Sequence, residues 1–230
     1  MKTETLQFNT ANGASTAYVA LPDESNGKAV IIIQEWWGLN DHIKDITNRY
    51  AAEGFTAIAP DLYRGKVTKD KEEAGRLMQN LAIEDGLNTI QMAMEKAQEA
   101  YGIEKFGITG FCMGGTFALR AACELENIGA AAPFYGDIPD EFTLKDLKCP
   151  VLFVSGIKDQ WINPEKVGEM ERIAKANFLP IEVLKYDADH AFFNNTRPEV
   201  YDETAAKDAW AKVIAFFNKN LEIVTMQTEA

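Results

Sequence analysis

The sequence predicts an α/β fold in which a mostly parallel central sheet carries helices on both faces. Three observations predict it. Residues 29–33, Ala-Val-Ile-Ile-Ile, form a continuous β-branched run of the kind that marks a strand covered on both faces. Short apolar runs then alternate with amphipathic segments along the chain, and such alternation builds parallel sheets through helical crossovers. Finally, a cysteine, an aspartate and a histidine each fall just past the carboxyl end of an apolar run, the edge where sites assemble in open α/β sheets.

The elements follow in order. Residues 5–8 and 16–20 alternate in polarity, and Asn12-Gly13 between them supplies a reversing turn, so a hairpin opens the chain. A polar loop over 22–27 leads to the strand 29–33. In residues 41–53, Ile43, Ile46, Tyr50 and Ala51 recur at helical spacing, and Gly54 stops that helix. A strand over 55–59 is closed by Pro60. Residues 61–71 are polar and basic and read as a surface loop, followed by helices over 72–81 and 85–101. A strand over 105–109 and a helix over 113–124 come next, then strands over 128–134 and 151–155. Residues 164–176 read as a helix and 181–186 as a strand. Residues 203–218 read as a final helix bearing Trp210, Val213, Ile214 and Phe217 on one face. No repeat or linker divides the chain, so a single domain over residues 1–230 is expected.

Composition excludes several classes of function. With 23 Lys and Arg against 35 Asp and Glu, the net charge of −12 repels nucleic acid and anionic membranes, and no basic run overrides it. No apolar run reaches the ~18 residues a membrane span needs. The first residues lack the apolar core of a signal peptide, so a cytoplasmic location is expected. The three cysteines, Cys112, Cys123 and Cys149, form no C-x-x-C pair, and their odd number argues against a disulfide framework. Only two histidines are present, and neither a metal nor any other cofactor is expected. The expected assembly is a monomer or weak homodimer.

The chemistry centres on Gly110-Phe111-Cys112-Met113-Gly114, between an apolar run and a helix. A G-x-S-x-G nucleophile elbow needs small residues on both sides because the turn is tight and the nucleophile's backbone strained. Here cysteine stands in place of serine. The turn puts the Met113 N–H at a helix N-terminus, where it can bind an oxyanion, and the helix dipole favours a thiolate. A structural cysteine at an ordinary turn is the alternative, and the paired glycines argue against it. Of the histidines, His42 falls in a first helical turn, where a solvated or capping role is ordinary, whereas His190 lies just beyond the strand 181–186 and reads as the base. Asp159, past the strand 151–155, is favoured over Asp189 as its orienting carboxylate, and the order Cys112, Asp159, His190 is that of α/β-hydrolases.

Glu35 ends the buried run 29–33 and needs a partner there. It either pairs with an arginine such as Arg120 or Arg64, or holds the Cys112 thiol. Trp36 beside it is placed to offer a second oxyanion N–H next to that of Met113. Trp36, Trp37, Tyr135, Trp161 and Phe192 either line a substrate cleft or pack in the core.

Taken together, Gln34-Glu35-Trp36-Trp37-Gly38-Leu39-Asn40, Ala59-Pro60-Asp61-Leu62-Tyr63, Gly110-Phe111-Cys112-Met113-Gly114-Gly115, Gly156-Ile157-Lys158-Asp159 and His190-Ala191-Phe192-Phe193 resemble the dienelactone hydrolase, or carboxymethylenebutenolidase, family of α/β-hydrolases. The resemblance runs over nearly the whole chain. It implies an α/β-hydrolase fold, Cys112 as nucleophile, His190 as base, Asp159 as orienter and Glu35 as a gate that keeps the thiol unreactive until substrate arrives. It also implies a substrate-binding residue four positions after the histidine. Studied members carry an arginine there, and this chain has Asn194. A second family arginine falls in the region 71–76. The expected reaction is hydrolysis of a carboxylic ester or enol lactone. A general short-chain carboxylesterase or thioesterase on the same triad is the alternative, and a redox-sensing role for Cys112 lacks a neighbouring resolving cysteine.

Overall fold

The computed structural model describes residues 1–221. Eight strands form one sheet in the order β1-β2-β4-β3-β5-β6-β7-β8. The hairpin is longer than its alternating core suggests: β1 (Lys2–Thr10) and β2 (Gly13–Leu21) pair antiparallel, with Thr10 opposite Gly13 across a two-residue turn. Gly13 takes φ +121°, a conformation open to glycine. β2 also runs antiparallel to β4 (Thr56–Pro60), and every other pairing is parallel.

The centre of the sheet is β3 (Ala29–Ile33) and β5 (Phe106–Phe111), both buried throughout, flanked by β4 and β6 (Ile128–Phe134). Side-chain alternation along β3 divides the core: Ile31 and Ile33 enter one apolar cluster, Val30 and Ile32 the other. The first cluster packs α3 (Ile83–Tyr101), α4 (Met113–Glu124) and α6 (Pro164–Ala176). The second packs α1 (Asp41–Ala52) and α7 (Glu203–Asn220). α2 (Lys71–Asn80) and the short α5 (Glu141–Leu144) connect, and β7 (Val151–Gly156) and β8 (Ile181–Tyr186) complete the sheet. The mostly parallel sheet with helices on both faces is therefore present as expected.

The segment before α2 corrects the expectation of a surface loop. Asp61, Leu62, Tyr63 and Thr68 are buried. The Asp61 carboxylate accepts the Tyr63 N–H at 3.0 Å and the Gly65 N–H at 2.6 Å, folding the segment back on itself. The Tyr63 hydroxyl reaches the Met113 Sδ at 3.2 Å, so this loop borders the nucleophile elbow.

Candidate active site

Four strand ends deliver the site. At the end of β5, Cys112 turns with φ +56° and ψ −116°, a strained conformation for a residue with a Cβ. Close packing requires the glycines around it: a Cβ on Gly110 would lie 2.1 Å from the Gly114 carbonyl oxygen, and one on Gly114 2.3 Å from that of Ile33. The Cys112 N–H donates to Phe134 O at 3.1 Å, fastening the elbow to β6.

At the ends of β7 and β8, Asp159 and His190 meet. The Asp159 Oδ1 accepts the N–H groups of Trp161 at 2.8 Å and Ile162 at 2.9 Å, and its Oδ2 lies 2.6 Å from His190 Nδ1. A carboxylate only accepts, so Nδ1 carries the hydrogen, and in the neutral form of the ring Nε2 presents a lone pair. That Nε2 is buried and has no partner among the described residues. Burial alone would raise the Asp159 carboxyl, but the His190 hydrogen bond and charge and the two N–H groups outweigh it and hold it below the usual range. The loops are joined by Lys158 N–H to Ala188 O at 3.1 Å. Asp189 is exposed, consistent with the preference for Asp159.

Glu35, at the end of β3, is only 2% exposed and takes neither arginine suggested for it: Arg64 pairs with Asp85 and Arg120 with Glu124. Its Oε2 accepts instead from Asn194 Nδ2 at 2.8 Å. The Asn194 Oδ1 accepts in turn from the N–H of Thr196 at 3.0 Å and its hydroxyl at 2.6 Å. Burial pushes the Glu35 carboxyl up to about 7 against the pull of Asn194 and the Arg197 charge. The Cys112 thiol is pushed up to about 12, first by burial and then by Glu35, with the Met113 N–H and Arg197 opposing. Burial and Glu35 thus oppose the helix dipole, which favours a thiolate at this turn. No hydrogen bond joins the thiol to Glu35 or to His190 among the described residues.

Several expected site residues stand elsewhere. Phe192 is fully buried between Tyr135 and Tyr186, and Asn194 lies beneath the site as the Glu35 donor, so neither forms a cleft wall. Tyr135 is also buried, 5.0 Å from the His190 ring. Trp36 and Trp37 are partly exposed and pack edge to face, while Trp161 is 66% exposed with its ring edge-on to His190 at 4.9 Å. His42 is buried rather than solvated or capping, its imidazole pushed down to about 4 chiefly by burial. Arg197, whose charge acts on Cys112, was not indicated by the sequence because it belongs to no short motif, and Tyr63, on which Cys112 acts, figured only as part of the 59–63 run with no role of its own. A depression of about 490 Å³ beside Phe8, Arg64 and Gly65 lies outside this cluster.

Residues 15–221 match the model of the dienelactone hydrolase family. The chain belongs to that family. A protein named usf from Aquifex pyrophilus is 36% identical over 89% of this chain and 93% of its own. An Aquifex aeolicus protein provisionally named a carboxymethylenebutenolidase is 34% identical, with the same coverage of 89% and 93%. A solved Klebsiella pneumoniae structure, provisionally named a dienelactone hydrolase, superposes with a TM-score of 0.86 at 29% identity, covering 95% of this chain and all of that one. The chain is a hydrolase by family and an α/β-hydrolase by fold.

Proposed function

We propose that this family member cleaves a carboxylic ester or enol lactone through Cys112, His190 and Asp159, by way of an acyl-cysteine. The observation that carries the reading is the 2.6 Å Asp159–His190 pair, which leaves a basic Nε2 without a partner on the sheet edge that bears the strained Cys112. The raised thiol supports an assisted attack: the Sγ–H gives its proton to Nε2 as sulfur bonds to the carbonyl carbon. The carbonyl electron pair moves to oxygen, which accepts from the Met113 and Trp36 N–H groups. Among the described residues the Trp36 N–H makes no other hydrogen bond. Collapse breaks the C–O bond, and His190 protonates the leaving alkoxide or enolate. His190 then takes a proton from water as its oxygen bonds to the thioester carbon, collapse breaks the C–S bond, and His190 returns the proton to the leaving sulfur, restoring the thiol. Glu35, as a nearby carboxylate, holds the thiol protonated between turnovers.

Asn194 favours an uncharged short-chain ester as substrate over a carboxylate-bearing lactone. Asn194 is buried, with one Nδ2 hydrogen given to Glu35 and its Oδ1 accepting from Thr196, so it does not present a donor to a substrate carboxylate in the way an exposed arginine would. Turnover of a p-nitrophenyl ester series beside a dienelactone separates the two. The triad is tested by Cys112→Ala: loss of at least a thousandfold in kcat/KM with the fold retained is expected, and undiminished hydrolysis contradicts the assignment.

A further inference from the structure

The two N–H groups assigned to the oxyanion stand on different elements: that of Met113 opens α4, and that of Trp36 lies in the loop after β3. One segment, residues 62–68 after β4, is tied to both. The Leu62 N–H donates to Gln34 Oε1 at 3.2 Å and the Thr68 N–H to Trp37 O at 3.0 Å, so Trp36 sits between two anchored neighbours. Gly38, at φ +96°, packs on the same segment: a Cβ there would lie 2.3 Å from the Lys66 carbonyl oxygen. The Gly38 N–H donates to Glu35 O at 3.2 Å and closes the loop on itself. On the other side, the Tyr63 hydroxyl donates to Met113 Sδ at 3.2 Å.

Two of these ties are poor choices for stability alone. Gln34 is fully buried, yet its Nε2 has no hydrogen-bond partner among the described residues, and a buried amide left so costs free energy. Tyr63 is only 6% exposed, and it spends its phenol donor on a thioether, a weak acceptor. Phenylalanine would fill the ring position of Tyr63 without a hydroxyl to satisfy. What the two side chains hold explains them better than the strength with which they hold it.

We propose that Tyr63, through Met113 Sδ, and Gln34, through the Leu62 N–H, are positioning residues of the oxyanion hole. The 62–68 segment thereby sets the Met113 and Trp36 N–H groups against each other before substrate arrives. The proposal rests on the reading that Cys112 is acylated with the oxyanion held by those two groups. Gln34 and Tyr63 are too deeply enclosed to meet substrate, and no proton passes through either. Donors fixed in advance stabilise developing charge without rearranging at the moment of reaction. Loosening one tie shifts a donor rather than removing it, so the loss is smaller than the roughly hundred- to thousandfold that follows deletion of an oxyanion donor.

The test compares a reaction that builds an oxyanion with one that does not. Acylation of Cys112 by p-nitrophenyl acetate passes through a tetrahedral oxyanion, whereas iodoacetamide loses iodide from a saturated carbon as sulfur bonds to it. Both draw on the same thiol, and peptide mass spectrometry of the labelled full chain assigns each modification. In Tyr63→Phe the maximal rate of acylation is expected to fall about tenfold, with the half-saturating ester concentration and the alkylation rate unchanged. Met113→Leu keeps the N–H and removes the sulfur. It is expected to give the same loss, and the double variant no more than either single one, because all three delete one contact. Unchanged acylation in either single variant overturns the proposal. Equal slowing of acylation and alkylation also overturns it, since the effect would then lie on the thiol or the fold, and so do losses that multiply in the double variant. If Tyr63→Phe does not fold, Met113→Leu carries the same comparison of acylation with alkylation. An acetyl group found on a residue other than Cys112 contradicts the nucleophile instead, so the two failures are distinguishable.

Discussion

At the scale of single residues, Glu35 has the clearest consequence. Its carboxyl is raised from about 4.5 to about 7 because burial disfavours its charge and an amide, rather than a guanidinium, is its hydrogen-bond partner. A raised acid favours the folded state most when protonated. This contribution is full below about pH 4.5, fades as pH rises towards 7 and is lost above it. Glu35→Gln keeps an acceptor for Asn194 and removes the charge. It is expected to be more stable than the parent at pH 8 by on the order of 3 kcal/mol, with the difference vanishing near pH 4.5. Urea denaturation at the two pH values checks this, and an equal difference at both contradicts it.

Glu35 also shows what a sequence conceals. Its position at a strand end was legible from the apolar run before it, but its partner was not. Asn194 is 159 residues away in the chain, and an asparagine after a histidine motif carries no signature of a buried donor. Likewise, Phe192 and Tyr135 read equally well as cleft or core, since aromatic type does not fix which side of a loop is buried. Cys112, Asp159 and His190 were legible as candidates because each follows a strand whose direction could be read, and the Asp159–His190 contact agrees with that placement.

At the scale of elements, the nucleophile turn is held by backbone approaching backbone. Gly114 packs against two carbonyls of the β3 end, Ile33 O at 2.3 Å and Gln34 O at 2.5 Å from a would-be Cβ, and none of these atoms can rotate away. Gly114→Ala is expected to cost at least 3 kcal/mol or to block folding, because the β3–α4 contact must open. A denaturation midpoint within error of the parent contradicts it. Elements with strong periodicity, such as β3 and α7, were legible from their patterns. The segment after β4 was not: its polar residues satisfy one another through Asp61, so a buried turn reads in sequence like a solvated loop.

At the scale of the whole molecule, the parallel sheet places the ends of β3, β5, β7 and β8 along one edge, and those ends bear Glu35, Cys112, Asp159 and His190. The two apolar clusters fix that sheet from both faces, so residues distant in sequence are held in one site. Among the described residues no helix is long and apolar enough to cross a membrane, and none of the His, Cys, Asp and Glu groups is arranged to hold a metal. In the proposed reaction the chemistry passes through a covalent bond to Cys112. Rapid quenching of the reaction with p-nitrophenyl acetate, followed by intact-protein and peptide mass spectrometry, reads that bond directly. One acetyl mass is expected on the peptide containing Cys112, formed with the initial release of nitrophenol and lost as turnover proceeds. Steady hydrolysis with the Cys112 peptide unmodified, or with the acyl mass on another residue, would contradict it.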